Sequence, residues 1–231
     1  MKPPYQVPLA IDRPLQQRLD NFVVGANGEL LALLSGPAEF RHSLWLAGPP
    51  KSGKSHLLRG VCGHQAAHGE KVAYVDGKLG IDRGLTSLQY ALDQQLSVCV
   101  DDVAVFAGEM AAEEMLLALY QTALTQGRLF IASHTVAAAG LEFALPDLNS
   151  RMRSLQHFIV QPLADTDKAE LLRSRAARRG YTINQAVLNY WLARAPRDTG
   201  TLITDLDVLD RATLARKQTV TIPLLKQVLG Y

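Results

Sequence analysis

Eight consecutive residues, Gly48-Pro49-Pro50-Lys51-Ser52-Gly53-Lys54-Ser55, have the form G-x-x-x-x-G-K-S. This is the pattern of a loop that cradles phosphate. Its two glycines permit backbone angles that a side chain would forbid, so the loop amides can turn inward on an anion. A helix beginning at the loop adds its positive N-terminal end. Lys54 is placed to reach the β- and γ-phosphates of a nucleotide, and the Ser55 hydroxyl to bind Mg²⁺. Further on, Leu96-Ser97-Val98-Cys99-Val100 runs into Asp101-Asp102, an apolar stretch ending in two carboxylates. Behind a phosphate loop, Asp101 is expected to hold the Mg²⁺ shell and Asp102 to polarise the attacking water. The plain alternatives are a glycine-rich turn that binds nothing and two aspartates met by chance. The complete motif and its flanks argue against both.

These residues need elements to hold them. Ser43 to Ala47 reads as a short buried strand, and Ser55 to about Ala67 as a helix with Leu57, Leu58, Val61 and Cys62 on one side. Phe22, Val23 and Val24 lie upstream, where an adenine ring is often sandwiched; their other role would be to fasten that segment to the core. Helix is expected over 27–34, strand over 71–76, a loop at the glycines 77, 80 and 84, helix over 85–95 and strand over 96–102. The helix over 109–126 carries a stripe of Leu116, Tyr120 and Leu124, read as core. The strand 128–133 ends in Ser133, followed by His134. Ligands sit at the carboxyl ends of strands in open α/β sheets, so Ser133 is a candidate contact to a γ-phosphate or water. His134 is read as a solvated loop residue. Arg151 is placed on a helix near the edge of this unit, and a last strand covers 155–160.

From Asp165 onward the pattern is helical throughout. Asp165 reads as the N-cap of a helix running to Arg179, with Gly180 as its stop. Arg173, Arg175, Arg178 and Arg179 crowd its C-terminal half, where cations suit the helix dipole, and are read as a solvated face. Further helices are expected over 184–193, 200–216 and 222–229. The fold class is therefore α/β, a P-loop unit with a parallel sheet followed by a small all-helical lid. The expected division is an extended segment 1–18, an α/β nucleotide-binding unit 19–163 and a lid 164–231.

The 231 residues suffice for one large domain or two small ones. A formal charge of +2 makes no case for nucleic acid by itself. No run of residues has the length and apolarity of a membrane span, and the N-terminus lacks a signal pattern. Cys62 and Cys99 fall in expected core elements without metal spacing, as in a reduced, cytoplasmic protein.

The order of these pieces resembles the DnaA-related AAA+ family: Asp20-Asn21-Phe22-Val23-Val24-Gly25, the phosphate loop, Val100-Asp101-Asp102, the strand ending in Ser133, then Ser150-Arg151 and a helical lid. Leu145-Pro146-Asp147-Leu148, Gln161-Pro162-Leu163, Leu209-Asp210-Arg211-Ala212 and Thr221-Ile222-Pro223 are its more selective stretches. The likeness runs from about Leu19 to the C-terminus and is greatest to the shortened, Hda-like branch. DnaA continues into a helix-turn-helix domain, and this sequence stops before one, which argues against duplex-DNA binding by that route.

The resemblance implies a five-stranded AAA+ sheet and a nucleotide, ADP or ATP, with another nucleotide left open, held with Mg²⁺. The implied contacts are Val23, Val24, Pro50, Lys51, Ser52, Gly53, Lys54, Ser55, His56, Asp101 and Ser133, with Ser55 and Asp101 on the metal. It implies association with the DNA polymerase III β sliding clamp through Gln6, Leu9 and Ile11, contact with the DnaA initiator, and an arginine finger at Arg151 acting on DnaA-bound ATP. By spacing alone Arg151 is one surface arginine among many. Self-association is left open. Two departures from the family pattern follow. Gly200 stands where AAA+ lids usually carry a sensor arginine, with Arg197 about one turn away, and Asp102 stands where many carry glutamate. Both suggest slow turnover and a regulatory part. The competing readings are a helicase-loader-like ATPase acting with single-stranded DNA and a small-molecule kinase.

Overall fold

The computed structural model describes residues 17–36, 43–196, 198–216 and 220–231. Gln6, Leu9, Ile11 and Arg197 lie outside the described residues. Five strands form one sheet in the order β2-β3-β4-β1-β5: β1 (Ser43–Ala47), β2 (Val72–Asp76), β3 (Ser97–Asp101), β4 (Phe130–Ser133) and β5 (Gln156–Ile159). Every pairing is parallel. The central strands read as continuous apolar runs because helices cover both of their faces.

Side chains that alternate along these strands feed two cores. Leu44, Leu46, Cys99 and Ile131 pack on α2 (Lys54–Ala67), with Leu30 and Leu34 of α1 (Gly28–Leu34) in the same cluster. Trp45, Val98, Val100, Phe130 and Ala132 pack on α3 (Ile81–Asp93), α4 (Met110–Gln126) and α5 (Pro146–Ser154). A third core, centred on Leu172, Trp191, Leu202 and Leu206, joins α6 (Asp165–Arg178), α7 (Gln185–Leu192), α8 (Thr199–Arg216) and α9 (Ile222–Leu229) into the helical lid. Full burial of each such side chain stabilises the fold by about 1.5–3 kcal/mol.

Three sequence expectations are corrected. Helix α3 begins at Ile81, so Gly84, expected in a loop, lies within it. A Cβ at Gly84 would stand 2.4 Å from Phe106 Cε1, and this close approach explains a glycine inside a helix. Leu124, expected in the core stripe of α4, is 57% exposed. Leu116, Leu119, Tyr120 and Ala123 form the buried face instead, so that face has rotated away from 124 by the end of the helix. The N-cap of α6 is Ala164, one residue before the expected Asp165; the Asp167 carboxylate accepts from the Ala164 N–H at 3.2 Å.

Candidate nucleotide site

A cleft of about 390 Å³ opens between the carboxyl end of the sheet and the lid. The phosphate loop runs from β1 into α2 and supplies Pro50, Lys51, Ser52, Gly53, Lys54 and Ser55, with His56 on the first turn of the helix. Gly53 has φ of +109°, and a Cβ there would lie 2.9 Å from Phe22 Cε2. The glycine is thus required both by the turn and by the ring packed on it. The segment before α1 is tied to the exit of β5 by Asn27, whose side chain donates to Gln161 O at 3.0 Å and accepts from Gln161 N at 2.7 Å. That staple brings Phe22 and Val23 to the cleft. Val24 does not line it and is 40% exposed.

His56 Nε2 lies 2.9 Å from both Arg18 O and Asn21 Oδ1, which assigns the proton to that nitrogen. Burial lowers the His56 pKa below its ordinary value, the Arg18 hydrogen bond opposes this, and the nearby Arg175 charge adds to it. The imidazole is therefore a neutral wall of the cleft near pH 7.

Lys54 Nζ donates to Gly48 O at 2.6 Å and Pro49 O at 3.0 Å. Burial pulls its pKa down, Asp101 and Asp102 oppose that, and Lys78 reinforces it. Ser52 Oγ is buried and has no hydrogen-bond partner among the described residues. An unpaired buried hydroxyl inside a loop of the phosphate-binding pattern fits an oxygen-rich ligand such as a phosphate.

Asp101, Ser133 and Tyr74 form one network. Ser133 Oγ donates to Asp101 Oδ1 at 2.7 Å, and Tyr74 OH donates to Asp101 Oδ2 at 2.8 Å. Burial raises the Asp101 pKa, but hydrogen bonds from Ser55, Ser133 and Tyr74 and the Lys78 charge outweigh it, and the net direction is down. The Tyr74 phenol is driven up by burial and by the Asp101 charge. Ser133 is fully buried and does not line the cleft; it reaches the site through Asp101, and its oxygen also accepts the Asp102 N–H at 3.1 Å.

Asp102 lines the cleft from a left-handed backbone position, φ +59°. Its Oδ1 lies 3.1 Å from His134 Nδ1. The His134 side chain is only 15% exposed, which corrects its reading as a solvated loop residue. The two come together because the parallel pairing of β3 with β4 sets the strand ends side by side.

Sequence reasoning missed two cations of this cleft, Lys78 and Arg175. Arg175 was grouped with three other arginines as a solvated face. Its neighbours diverge: Arg173 pairs with Glu170, Arg179 pairs with Asp207 and Asp210 of α8, and Arg175 turns to the cleft. A signal was available, since Arg175 falls on the stripe of Leu171, Leu172 and Ala176. Gly200 also lines the cleft. Arg151 does not; it sits on α5 with its side chain 47% exposed, 3.5 Å from Asp147 one turn earlier.

The strand order, the loop after β1, the paired acids after β3 and the helical lid together give a AAA+-like fold. Its lid is of a particular kind, since residues 165–229 match the family model of the Hda lid domain. The fold is that of DnaA domain III from Thermotoga maritima, with a TM-score of 0.78 at 16% identity over 94% of this chain and 96% of that one. AMPPCP-bound DnaA from Aquifex aeolicus is similar over 88% of this chain and 69% of its own, at 15% identity and TM-score 0.69. A Thermotoga maritima RuvB variant is similar over 93% and 71%, at 17% identity and TM-score 0.68. A lid that matches the Hda lid domain thus stands beside a sheet domain with a DnaA-like fold. Among the described residues no helix is long and apolar enough to cross a membrane.

Proposed function

We propose that this chain is an Hda-like regulator of bacterial replication initiation that promotes hydrolysis of DnaA-bound ATP by supplying Arg151 in trans. The observation that carries the reading is the position of Arg151. It lies outside its own chain's cleft, half exposed, and among the described residues its guanidinium has an i,i+4 contact to Asp147 at 3.5 Å. Exposed pairs of this kind are worth a few tenths of a kcal/mol, so the guanidinium exchanges Asp147 readily for a more concentrated negative charge. A guanidinium delivered to a γ-phosphoryl offsets the charge that develops on it, and such contacts raise rates by about 10³–10⁵.

In this reading the chain's own cleft holds ADP or ATP as a structural ligand. A nucleotide there supplies phosphates for the Ser52 hydroxyl and the Lys54 ammonium and a base for the Phe22, Val23 and His56 wall. Asp102 is engaged by His134, which leaves its carboxylate poorly placed to polarise water, so intrinsic turnover well below about 1 s⁻¹ is expected. We place the division between the two units in the link from β5 to α6, around residues 160–164. Clamp association through Gln6, Leu9 and Ile11 rests on the sequence.

The test is hydrolysis of ATP pre-bound to DnaA, with DNA-loaded clamp and either the wild-type chain or Arg151→Ala. Stimulation by wild type alone is expected. Equal stimulation by both removes Arg151 from the role, and none by either removes the regulator reading. Gln6→Ala in the same assay should abolish stimulation and clamp capture together.

A further inference from the structure

The cations that line the cleft differ in whether they have partners. Lys54 donates to two carbonyls of its own loop, Lys51 pairs with Asp198, and Lys78 donates to Ser55 Oγ at 3.3 Å. Arg175 lines the same cleft, half-buried, and among the described residues its guanidinium takes part in no hydrogen bond or ion pair. Burial lowers its pKa first, the Arg179 charge adds to this, Asp207 opposes it and Arg178 adds again. The carboxylate of Asp207 is itself paired with Arg179. A partly dehydrated guanidinium with like charges beside it and no acceptor is unfavourable, and an acceptor bound in the cleft would relieve it.

The surroundings show which end of the cleft this is. The charges felt by Lys54 are Asp101, Lys78 and Asp102, the groups around the phosphate loop. The charge felt by His56 is Arg175. The His56 ring meets Phe22 edge-on, with 5.3 Å between centroids. Leu171, one turn before Arg175 on α6, lines the cleft together with Phe22, Val23, Leu163 and Ile203. These apolar side chains can cover the faces of a flat ring but cannot hydrogen-bond its edge. The Nε2 proton of His56 is already engaged by Arg18 O and Asn21 Oδ1. Arg175 brings to this end a charged donor that is still unengaged.

We infer that Arg175 reads the edge of the nucleobase held in this cleft. This rests on the nucleotide reading above. A guanidinium only donates, through a rigid planar fork. It therefore favours a base that turns a carbonyl oxygen or an unprotonated ring nitrogen toward it, and disfavours one that turns an amino group. The phosphate loop then holds the phosphates of any nucleoside diphosphate, and the lid, through Arg175, discriminates among bases.

The experiment is equilibrium binding of ADP, GDP, CDP and UDP to the full chain in excess Mg²⁺, for wild type, Arg175→Ala and Arg175→Lys. Wild type should spread the four affinities over about tenfold or more. Arg175→Ala should lose about tenfold for the tightest of the four, the effect of one charge-assisted contact, and bring all four within about threefold of one another. Arg175→Lys keeps the charge without the fork and should narrow the spread as well; it serves alone if the alanine variant melts lower than wild type. A variant that weakens all four alike acts through the phosphates or the fold, which overturns the inference and leaves the nucleotide site standing. A variant with wild-type affinities, or a wild type that binds all four within about threefold, overturns it too. Wild type that binds none of the four removes the nucleotide reading and this inference together.

Discussion

Lys51 Nζ lies 2.7 Å from Asp198 Oδ1, joining the phosphate loop to the residue that leads into α8. Asp198 also accepts from the Thr201 N–H and hydroxyl, each at 2.7 Å, so one carboxylate caps the lid helix and grips the loop. The Asp198 pKa is held at about 2, by the Lys51 hydrogen bond first and the Thr201 N–H next. A carboxyl depressed in the folded state contributes stability that is complete above its unfolded value and lost as pH falls through the folded one. The latch is thus intact above about pH 4 and opens on acidification toward about pH 2. An NMR titration of the Asp198 carboxyl carbon should show this low midpoint, and Lys51→Met should return it toward the ordinary 3.8. An unmoved midpoint would detach Lys51 from the latch.

Gly200 adjoins the same latch. A Cβ there would stand 3.0 Å from Lys51 Cδ, the movable part of a flexible side chain. Gly200→Arg should therefore fold, displace Lys51 and bring a guanidinium to the cleft. We expect the ratio of ATP to ADP affinity to rise by about tenfold, the worth of one added charge-assisted hydrogen bond. An unchanged ratio in competition binding would show that residue 200 does not reach the γ-phosphate.

Lys54→Ala should weaken nucleotide binding by about 10²-fold or more while the melting temperature holds, because the ammonium now donates to two carbonyls of its own loop that water can serve instead. Calorimetric titration with ADP measures this, and wild-type affinity in the variant would remove the phosphate loop from the binding site.

Glu113 is fully buried in α4, and its carboxylate accepts from the N–H groups of Gly108, Ala144 and Leu145 at 2.7, 3.0 and 2.7 Å. It anchors the backbone from which α5, and hence Arg151, departs. Glu113→Ala should cost about 3 kcal/mol by leaving buried donors unpaired. In a chain of this size that is a fall in Tm of roughly 6–12 °C. Glu113→Gln, which keeps one accepting oxygen, should lie between. A Tm unchanged in the alanine variant would mean that water replaces the carboxylate.

Much of the site was legible because its chemistry lies on contiguous backbone. The motif from Gly48 to Ser55 brings its own strand and helix, and Asp101-Asp102 follow their strand directly, so spacing alone put both at the carboxyl end of the sheet. Gly84 and Leu124 were misread for a local reason. Whether a glycine belongs to a helix depends on Phe106 pressing against it, and where an apolar stripe ends depends on the sheet beneath it.

The sequence by itself determined the phosphate loop, the paired acids, the alternation of strand and helix and the change to an all-helical lid. Each is set by local backbone preference and by hydrophobic period, which act over a few residues. Only the tertiary structure decided that Lys78 reaches Ser55, that His134 engages Asp102, that Arg175 faces the cleft while Arg173 faces solvent, and that Arg151 stands outside it. Those outcomes depend on which strand ends lie side by side and which face of a helix meets the sheet or the lid. They are settled by the packing of three cores and the pairing of charges across elements distant in sequence; spacing along the chain hinted only at Arg175, through its place on the stripe of Leu171, Leu172 and Ala176.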